Sequence, residues 1–347
     1  MKARTHSDLV RADRIALQAD SNRRLVISLD EDFKPSSHEY NLLMGFHFGA
    51  DPTRHDHPAI VSLRLQPIGR EQLFESWWYK GEIKFTEFGS VRIAECQDYT
   101  VAIVQKKNAP QKNFRAHTRQ AYRELLAAVR STKHSKMVKV WNYFDDINTG
   151  DNDSEKYRQF SIGRAEVFQD LGISDQDTPC GTAIGTLKGS GISLIALASN
   201  QDFCRVENPR QVSAFHYPRI YGPSTPKFSR GGFVSSDSHK LYLISGTAAV
   251  VGHETAHPFN TRLQTNETFK NLDALCHAIS NQDLNDKRLV LDEESVLRVY
   301  LRNPEDYYPV ADKIYKELKI RSRNVAFLHG NICRRELMVE IDGVKVI

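Results

Sequence analysis

The sequence predicts an α+β protein built from duplicated units, and two observations lead to this fold class. Segments in which β-branched and aromatic residues alternate with polar ones recur along the 347 residues, as is typical of half-buried strands. Two amphipathic segments, HTRQAYRELLAAV from residue 117 and QTNETFKNLDALC from residue 264, each precede a strand-like segment rich in Val and aromatic residues. Such self-similarity at a long period indicates duplicated units, although two amphipathic helices can also be alike by chance.

The first half of the chain is predicted to consist mainly of strands. Alternation of apolar and polar residues places them at 25–29, 40–49, 60–68, 91–96, 99–106 and 137–147. One helix is predicted over 117–132, with an apolar face formed by Ala121, Leu125, Ala128 and Val129. Residues 1–20 are polar and irregular and are expected at the surface. The polar turn TGDNDS at 149–154 then indicates a boundary between two lobes, 1–150 and 151–347.

The second half repeats this plan. Strands are predicted at 191–199, 212–221, 240–252 and 296–302. A helix is predicted over 264–280, with an apolar face of Phe269, Leu272, Leu275, Cys276 and Ile279. Another helix is predicted from residue 304, with Pro in its first position, and residues 332–347 are expected to close the chain as a helical turn or a strand. The glycines within 180–191 are expected in turns, because their spacing does not fit a phosphate-binding loop.

Composition and charge exclude several classes of protein. Hydrophobic residues make up 40% and charged residues 26%, values typical of a globular chain rather than a disordered one. Lys and Arg number 47 against 43 Asp and Glu, and no run of five like charges occurs, so nucleic acid is not expected as a partner. The longest apolar run, at 192–198, is far shorter than the roughly 20 residues that a membrane span needs.

Cysteine content and the N-terminal residues bear on the cellular compartment. The five cysteines never form a CxxC pair, so no metal-like spacing is present. Residues 1–30 alternate charged and apolar residues and lack the apolar stretch of a signal peptide. We therefore expect a cytoplasmic protein with reduced thiols.

The motif HETAH at 253–257 matches the H-E-x-x-H zinc signature. In that signature two His one helical turn apart bind the metal, and the Glu acts as base. Here a strand-like segment and Gly252 precede the motif and Pro258 follows it, so a helix through both His is not expected. A loop with hydrogen-bonded His side chains is the favoured interpretation, and a zinc hydrolase is the alternative.

Two segments rich in Tyr and Arg suggest a site for a small dianion. The proline-containing segment 206–231 holds Arg210, Tyr217, Arg219, Tyr221 and Arg230. The segment YRQFSIGR at 157–164 adds a second group of the same kind. Guanidinium groups and Tyr hydroxyls are good partners for carboxylates, so these segments indicate binding of a substrate with two negative charges.

Glu340 is a candidate general acid. It alternates with Leu337, Val339 and Ile341, as expected on a strand near a core. Burial there would raise the pKa of its carboxyl and suit it to proton transfer. On this pattern alone, an outward-facing strand Glu is the favoured interpretation.

Long segments of this sequence resemble the chorismatase family. They are YRQFSIGRAEVF, NPRQVSAFHYPRIYGPSTPKFSR, LISGTA, GHET and NICRRELMVEID, and the resemblance runs from residue 141 to the end of the chain. The fold of that family is similar to the RidA/YjgF group. The resemblance therefore implies two RidA/YjgF-like lobes, 1–150 and 151–347, with mixed β-sheets flanked by helices, the second lobe being catalytic.

The resemblance also implies a substrate and a set of site residues. The substrate is chorismate, which carries two carboxylates and an enolpyruvyl ether. Tyr157, Arg164, Tyr217 and Arg230 match the family's substrate-binding positions, and Arg302 is expected as a further clamp. Glu340 matches the family's catalytic glutamate, which shuttles a proton to the enolpyruvyl methylene. Neither a metal nor another cofactor is expected, because removal of pyruvate requires none.

Gly246 and Cys333 match the branch of the family that forms 3-hydroxybenzoate and pyruvate. Alternatives are a mixed 3-/4-hydroxybenzoate synthase and hydrolysis of chorismate to a dihydroxycyclohexadiene carboxylate. A RidA-like binder without catalysis is the alternative from another class. RidA-type proteins are trimers, but two units in one chain could form the site internally, so a monomer or a trimer is expected.

Overall fold

The computed structural model describes residues 23–33, 39–51, 55–107, 111–283, 288–318 and 320–347. The segment 1–20, expected at the surface, lies outside these residues. The α-helices of the described residues are α1 (Phe114–Arg130), α2 (Lys156–Asp170), α3 (Thr261–Gln282) and α4 (Tyr307–Leu318). None of these helices combines the length and the hydropathy that a membrane crossing requires.

The strands form three large sheets and one small hairpin. Those of the first half are β1 (Leu25–Asp30), β2 (Tyr40–Gly49), β3 (Ile60–Arg64), β4 (Gln66–Pro67), β5 (Gln72–Lys80), β6 (Lys84–Phe88), β7 (Val91–Glu95), β8 (Thr100–Lys106), β9 (Lys136–Asp145), β10 (Cys180–Thr186) and β11 (Ile192–Ser199). Those of the second half are β12 (Phe203–Val206), β13 (Gly231–Ser235), β14 (Lys240–Ala248), β15 (Val250–Val251), β16 (Glu254–Thr255), β17 (Ser295–Leu301), β18 (Val325–His329), β19 (Asn331–Ile332) and β20 (Val339–Val346). A four-stranded sheet has the order β1-β5-β2-β3, and β15 pairs with β16.

The two seven-stranded sheets share one construction. The first has the order β19-β10-β9-β11-β8-β7-β6 and the second has the order β4-β18-β17-β20-β14-β13-β12. In each sheet the strand that follows the long helix, β9 or β17, pairs in parallel with β10 or β18. It also pairs in antiparallel fashion with β11 or β20. The predicted repeat and the expected α+β class with mixed sheets are therefore confirmed.

The chain passes from the first of these sheets to the second between Ser199 and Phe203. Residue 150, at which the sequence predicts a boundary, lies between β9 and α2, inside the first repeat. We propose that the two lobes are Lys84–Ser199 and Phe203–Val346, preceded by the four-stranded sheet. The short strand β19 of the second lobe extends the sheet of the first, and β4, which precedes the first lobe, extends the sheet of the second.

Some elements differ from the sequence-based expectation. Strand β5 was not expected, because its residues are buried on both faces and the polar pair Glu75 and Ser76 lies between apolar residues, so no alternation is visible. Helix α2 was not expected either, because buried polar residues such as Ser161 and Arg164 interrupt its apolar face. The segment CGTAIGT is the buried strand β10 rather than a set of turns. Residues 212–221 contain two 3₁₀ turns instead of a strand, and Pro218, which has no N–H for a sheet, lies between them.

The predicted helical faces are buried as expected. Helix α1 packs its apolar face on the first seven-stranded sheet. Helix α3 packs its face on the second sheet in the same way, together with α4. The other faces of the two sheets meet in a shared core, which also contains the four-stranded sheet.

A chain of buried charges crosses this shared core. Arg298 on β17 donates to both carboxylate oxygens of Glu75 on β5, at 2.6 and 2.5 Å. It also approaches Asp342 on β20, with 3.4 Å between Nη1 and Oδ2. Lys139 on β9 lies 3.6 Å from the same oxygen. These side chains are almost fully buried, and they link all three large sheets.

We expect Glu75→Gln to destabilise the protein by about 3–5 kcal/mol, because it leaves the buried Arg298 without its bidentate partner. Urea unfolding gives this free energy. The control is Asp312→Asn, which breaks an exposed helical pair with Lys316, and we expect it to cost less than about 0.5 kcal/mol. Equal losses in the two variants would contradict a central role for the buried charges.

Candidate active site

Glu340 lies on β20 and faces the shared core. Its neighbours across the sheet are Tyr300 on β17 and Ala248 on β14. The residue is only 4% exposed. Burial, and secondly the like charge of Asp342, raise the pKa of its carboxyl to about 8, although Lys139 and Arg230 act in the opposite direction. Glu340 is therefore a carboxylic acid that holds its proton at neutral pH, as a general acid must.

Gly246 provides the space for this carboxyl group. The pairing of β14 with β20 shifts register between Ile244 and Thr247, so Ser245 and Gly246 form a bulge. A Cβ at position 246 would overlap the Glu340 carboxylate. The close approach of backbone and carboxyl thus explains why glycine occupies this position.

Tyr157 and Cys333 approach Glu340 from two other elements. Tyr157 is the second residue of α2, and Cys333 follows β19. Burial raises the pKa of both groups, that of Cys333 to about 12, and the charge of Glu340 acts on each in the same direction. Both side chains are therefore neutral near pH 7 and can serve as hydrogen-bonding groups beside Glu340.

Two buried arginines carry N–H groups without a partner. Arg164 on α2 is 3% exposed, and Arg230, directly before β13, is 6% exposed. Among the described residues, Nε and Nη2 of Arg164 and Nε of Arg230 have no hydrogen-bond acceptor, and neither side chain forms a salt bridge there. Buried guanidinium groups are normally paired. These two are therefore suited to receive an anion.

The loop between β12 and β13 supplies aromatic side chains to the same region. Nη2 of Arg230 donates to the Tyr217 hydroxyl at 2.8 Å and to the Val212 carbonyl at 2.8 Å. Arg334 stacks over the rings of Tyr217 and Tyr221, with 5.2 and 3.8 Å to the ring centres. Sequence analysis did not select Arg334, although it lies next to Cys333 in the segment NICRRELMVEID.

Arg302 has a different environment from the other expected clamps. Its guanidinium donates to the carbonyls of Leu337, Ile332 and Arg334 and to the side chains of Asn148 and Asn331. Every nitrogen of the group therefore has an acceptor inside the protein. This arrangement favours a role in holding the segment that carries Cys333, rather than the predicted role of a substrate clamp.

The HETAH motif forms a hairpin and not a helix. Glu254 and Thr255 belong to β16, and His257 has a φ of +52°. The two His therefore do not share a helical face, which is the geometry that the zinc signature needs. The hairpin packs on the Cys333 segment instead, since Arg334 donates to the His253 carbonyl at 2.9 Å. The predicted loop is thus a short hairpin, and the predicted hydrogen bonding of its His side chains is not found at His253, whose buried Nδ1 has no partner among the described residues.

The structure thus brings most of the selected residues together. Both repeats contribute to the group, whose members are Tyr157, Arg164, Tyr217, Arg230, Gly246, Cys333 and Glu340. Lys139 and Asp342, which sequence analysis missed, lie directly beside Glu340 in the core. The sequence signal for them is weak, because each is one of several polar residues in its strand.

Comparison with known proteins identifies the family. A 3-hydroxybenzoate synthase from Streptomyces hygroscopicus is 30% identical over 304 residues, which cover 84% of this chain and 86% of the relative. The chain belongs to the chorismatase family. A chorismatase from Streptomyces rapamycinicus is 32% identical over 283 residues, covering 79% of this chain and 82% of that protein. The family description "Chorismatase FkbO/Hyg5-like, N-terminal" matches residues 75–198, which extends the likeness to the N-terminal side of the motifs.

A solved structure supports the same assignment. A chorismatase crystal structure superposes with a TM-score of 0.83 and 25% identity, covering 93% of this chain and 98% of the other. The chain therefore has the complete chorismatase fold. The YjgF gene product of E. coli also matches 34% of this chain and 87% of its own, with 14% identity and a TM-score of 0.26, values too low to carry a conclusion.

We expect Glu340→Gln to stabilise the protein progressively as pH rises. The raised pKa means that the folded state binds a proton between about pH 5 and 8 that the unfolded state has lost, so the wild type loses about 1.4 kcal/mol per pH unit in that range. Urea unfolding at several pH values measures the difference between variant and wild type. The exposed Glu305→Gln serves as control, and a constant difference for Glu340→Gln would contradict the raised pKa.

Proposed function

We propose that this protein converts chorismate to 3-hydroxybenzoate and pyruvate, with Glu340 as the proton shuttle. One observation carries the proposal: a buried carboxyl with a pKa of about 8 lies in the same site as two buried guanidiniums that have unpartnered N–H groups. A proton donor beside two anion-binding groups suits a dianionic enol ether. The family supports the substrate, since the relatives described above are chorismatases and a 3-hydroxybenzoate synthase.

The two carboxylates of chorismate are assigned to the two arginines. Arg164 offers Nε and Nη2, and Arg230 offers Nε. Charge-assisted hydrogen bonds of this kind are among the strongest in proteins, and burial excludes competing water. The Tyr157 and Tyr217 hydroxyls complete the clamp, the latter oriented by its hydrogen bond from Arg230. Because Arg164 comes from the first repeat and Arg230 from the second, we propose that one chain holds a complete site.

Proton transfer from Glu340 starts the reaction. The carboxyl proton is added to the enolpyruvyl methylene carbon, which becomes the methyl group of pyruvate. The adjoining carbon gains oxocarbenium character, which weakens the ether bond to the ring. The ring 4-hydroxyl oxygen displaces pyruvate, the hydroxyl proton restores Glu340, and opening of the resulting arene oxide gives the aromatic product. Chorismate is thus divided into 3-hydroxybenzoate and pyruvate without consumption of water.

Gly246 and Cys333 are assigned to the choice of product. Gly246 leaves room for the Glu340 carboxyl. The Cys333 thiol, neutral because burial raises its pKa to about 12, is a weak hydrogen-bonding group that holds no water strongly. A site of this kind favours attack by the ring hydroxyl over attack by water. Mixed 3-/4-hydroxybenzoate formation and hydrolysis to the dihydroxycyclohexadiene carboxylate are the alternatives that product analysis separates.

The test is chromatography of the products from purified protein and chorismate, with pyruvate measured in parallel. We expect 3-hydroxybenzoate and pyruvate in equal amounts, and we expect Glu340→Gln to bind chorismate but to lose at least about a hundredfold in turnover, as general acid catalysis is worth about that much. Glu305→Gln is the matched control. Near-normal turnover of Glu340→Gln would remove Glu340 from its role, and thermal protection by chorismate without turnover would indicate a binding protein.

We expect Gly246→Ala combined with Cys333→Ala to shift the products toward the dihydroxycyclohexadiene carboxylate and to lower total turnover. The new methyl group at position 246 displaces the Glu340 carboxyl, and the loss of the thiol opens space for water. The ratio of products by chromatography measures the shift. Cys276→Ala, which truncates a buried thiol in α3, is the control. An unchanged ratio would contradict the assignment of these two positions.

A further inference from the structure

We propose that Asp342 and Lys139 are positioning residues for Glu340, which fix its place in the core and set the pH range in which it donates its proton. The proposal rests on the function proposed above for Glu340. Neither residue is placed against the substrate. Both lie behind Glu340, between the two seven-stranded sheets, and both are fully buried.

Asp342 shares a face of β20 with Glu340, because the two residues are separated by one position on the strand. All of its donors approach a single oxygen, Oδ2: the Thr182 hydroxyl at 2.7 Å, the Trp141 Nε1 at 3.2 Å and the Arg298 Nη1 at 3.4 Å. Its other oxygen, Oδ1, is buried and has no hydrogen-bond partner among the described residues. The carboxylate is thus held rigidly while part of its negative charge stays unpaired beside Glu340.

Lys139 connects this carboxylate to the bulge that accommodates Glu340. Its ammonium group donates to the Thr182 hydroxyl at 3.0 Å and to the Ile244 carbonyl at 2.7 Å. Ile244 is the last residue of β14 before the bulge at Ser245 and Gly246. The same bulge is held from the other side, where the Ser245 hydroxyl donates to the Ser229 carbonyl at 2.6 Å. Lys139 therefore fixes the backbone against which the Glu340 carboxyl packs.

Charged and titratable groups face Glu340 from each element around it. They are Asp342 on β20, Lys139 on β9, Arg230 before β13, Tyr157 on α2, Cys333 after β19 and Tyr300 on β17, which is neutral because burial raises the pKa of its hydroxyl. Asp342 favours the protonated acid, whereas Lys139 and Arg230 favour the anion. Arg230 is assigned to the substrate, and Tyr157 and Cys333 are neutral. Asp342 and Lys139 are therefore the two fixed charges, of opposite sign, that set the protonation equilibrium of the Glu340 carboxyl.

The experiment is the pH dependence of kcat in purified full-length variants. Because the protonated acid is the active form, kcat of the wild type falls as pH rises through about 8. Asp342→Asn keeps the size and the acceptor oxygen but removes the like charge, so we expect the falling limb to move to lower pH by about one unit. Lys139→Met removes the opposite charge, so we expect the limb to move to higher pH by a similar amount. KM for chorismate should change by less than about twofold in both variants, since the residues do not touch the substrate.

Tyr143→Phe is the matched control. It removes a buried hydroxyl from the same interface, where the Tyr143 and Tyr300 hydroxyls are 3.0 Å apart, without a change of charge. We expect the pH at which kcat falls to be the same in this variant as in the wild type. Circular dichroism and thermal unfolding identify the variants that fold. Either Asp342→Asn or Lys139→Met is sufficient to test the proposal, because each has its own predicted direction of shift.

A fall in kcat at every pH with an unmoved limb would show a purely structural role and would overturn the proposal. So would a shift opposite to the predicted direction in either variant. Failure of the underlying function gives a different result, since Glu340→Gln would then retain turnover. An inactive Glu340→Gln together with unmoved limbs in the folded variants rejects only the role of Asp342 and Lys139.

Discussion

The buried charge of Arg298 is the constraint on which the rest of the structure depends. A guanidinium removed from water needs anionic partners, and here they come from two different sheets, Glu75 on β5 and Asp342 on β20. Lys139 from the other seven-stranded sheet then balances the second carboxylate. The three sheets can satisfy these charges only in one relative arrangement. Apolar residues in place of these buried charges would pack equally well. They would not specify that arrangement, and they would not provide an electrostatic environment.

The site follows from this arrangement. Alternation along β20 places Glu340 on the same face as Asp342, at the end of the charged chain and close to Arg230, while Tyr157 lies near both Glu340 and Arg164. Burial raises the proton affinity of Glu340, and the bulge at Gly246 leaves room for the carboxyl. Stability and reactivity thus come from the same buried layer. Duplication made this possible, because the shared core lies between two copies of one sheet.

Particular elements show why sequence patterns predicted some of the fold and not the rest. Helices α1 and α3 bury one face each, so the period of their apolar residues was sufficient to identify them and their buried residues. Strand β5 is buried on both faces and α2 buries Arg164, and neither has a simple period. The loop at 212–221 contains β-branched and aromatic residues, but Pro218 has no N–H for sheet pairing. The periodic spacing of apolar residues identifies elements that bury one face, and these elements do not have a single buried face.

By itself, the sequence determined the α+β class, the internal repeat, most of the strands and, through its motifs, the family and the main candidates of the site. These properties depend on short-range periodicity or on residues close together in the chain. The tertiary structure alone decided that Glu340 is buried beside Asp342 and Lys139, that Arg302 is fully bonded within the protein, and that HETAH is a hairpin. The pKa of a buried group and the number of unpartnered N–H groups on a guanidinium depend on distances between strands that are far apart in sequence, such as those of Glu75 and Arg298. Only the packing of the sheets sets those distances.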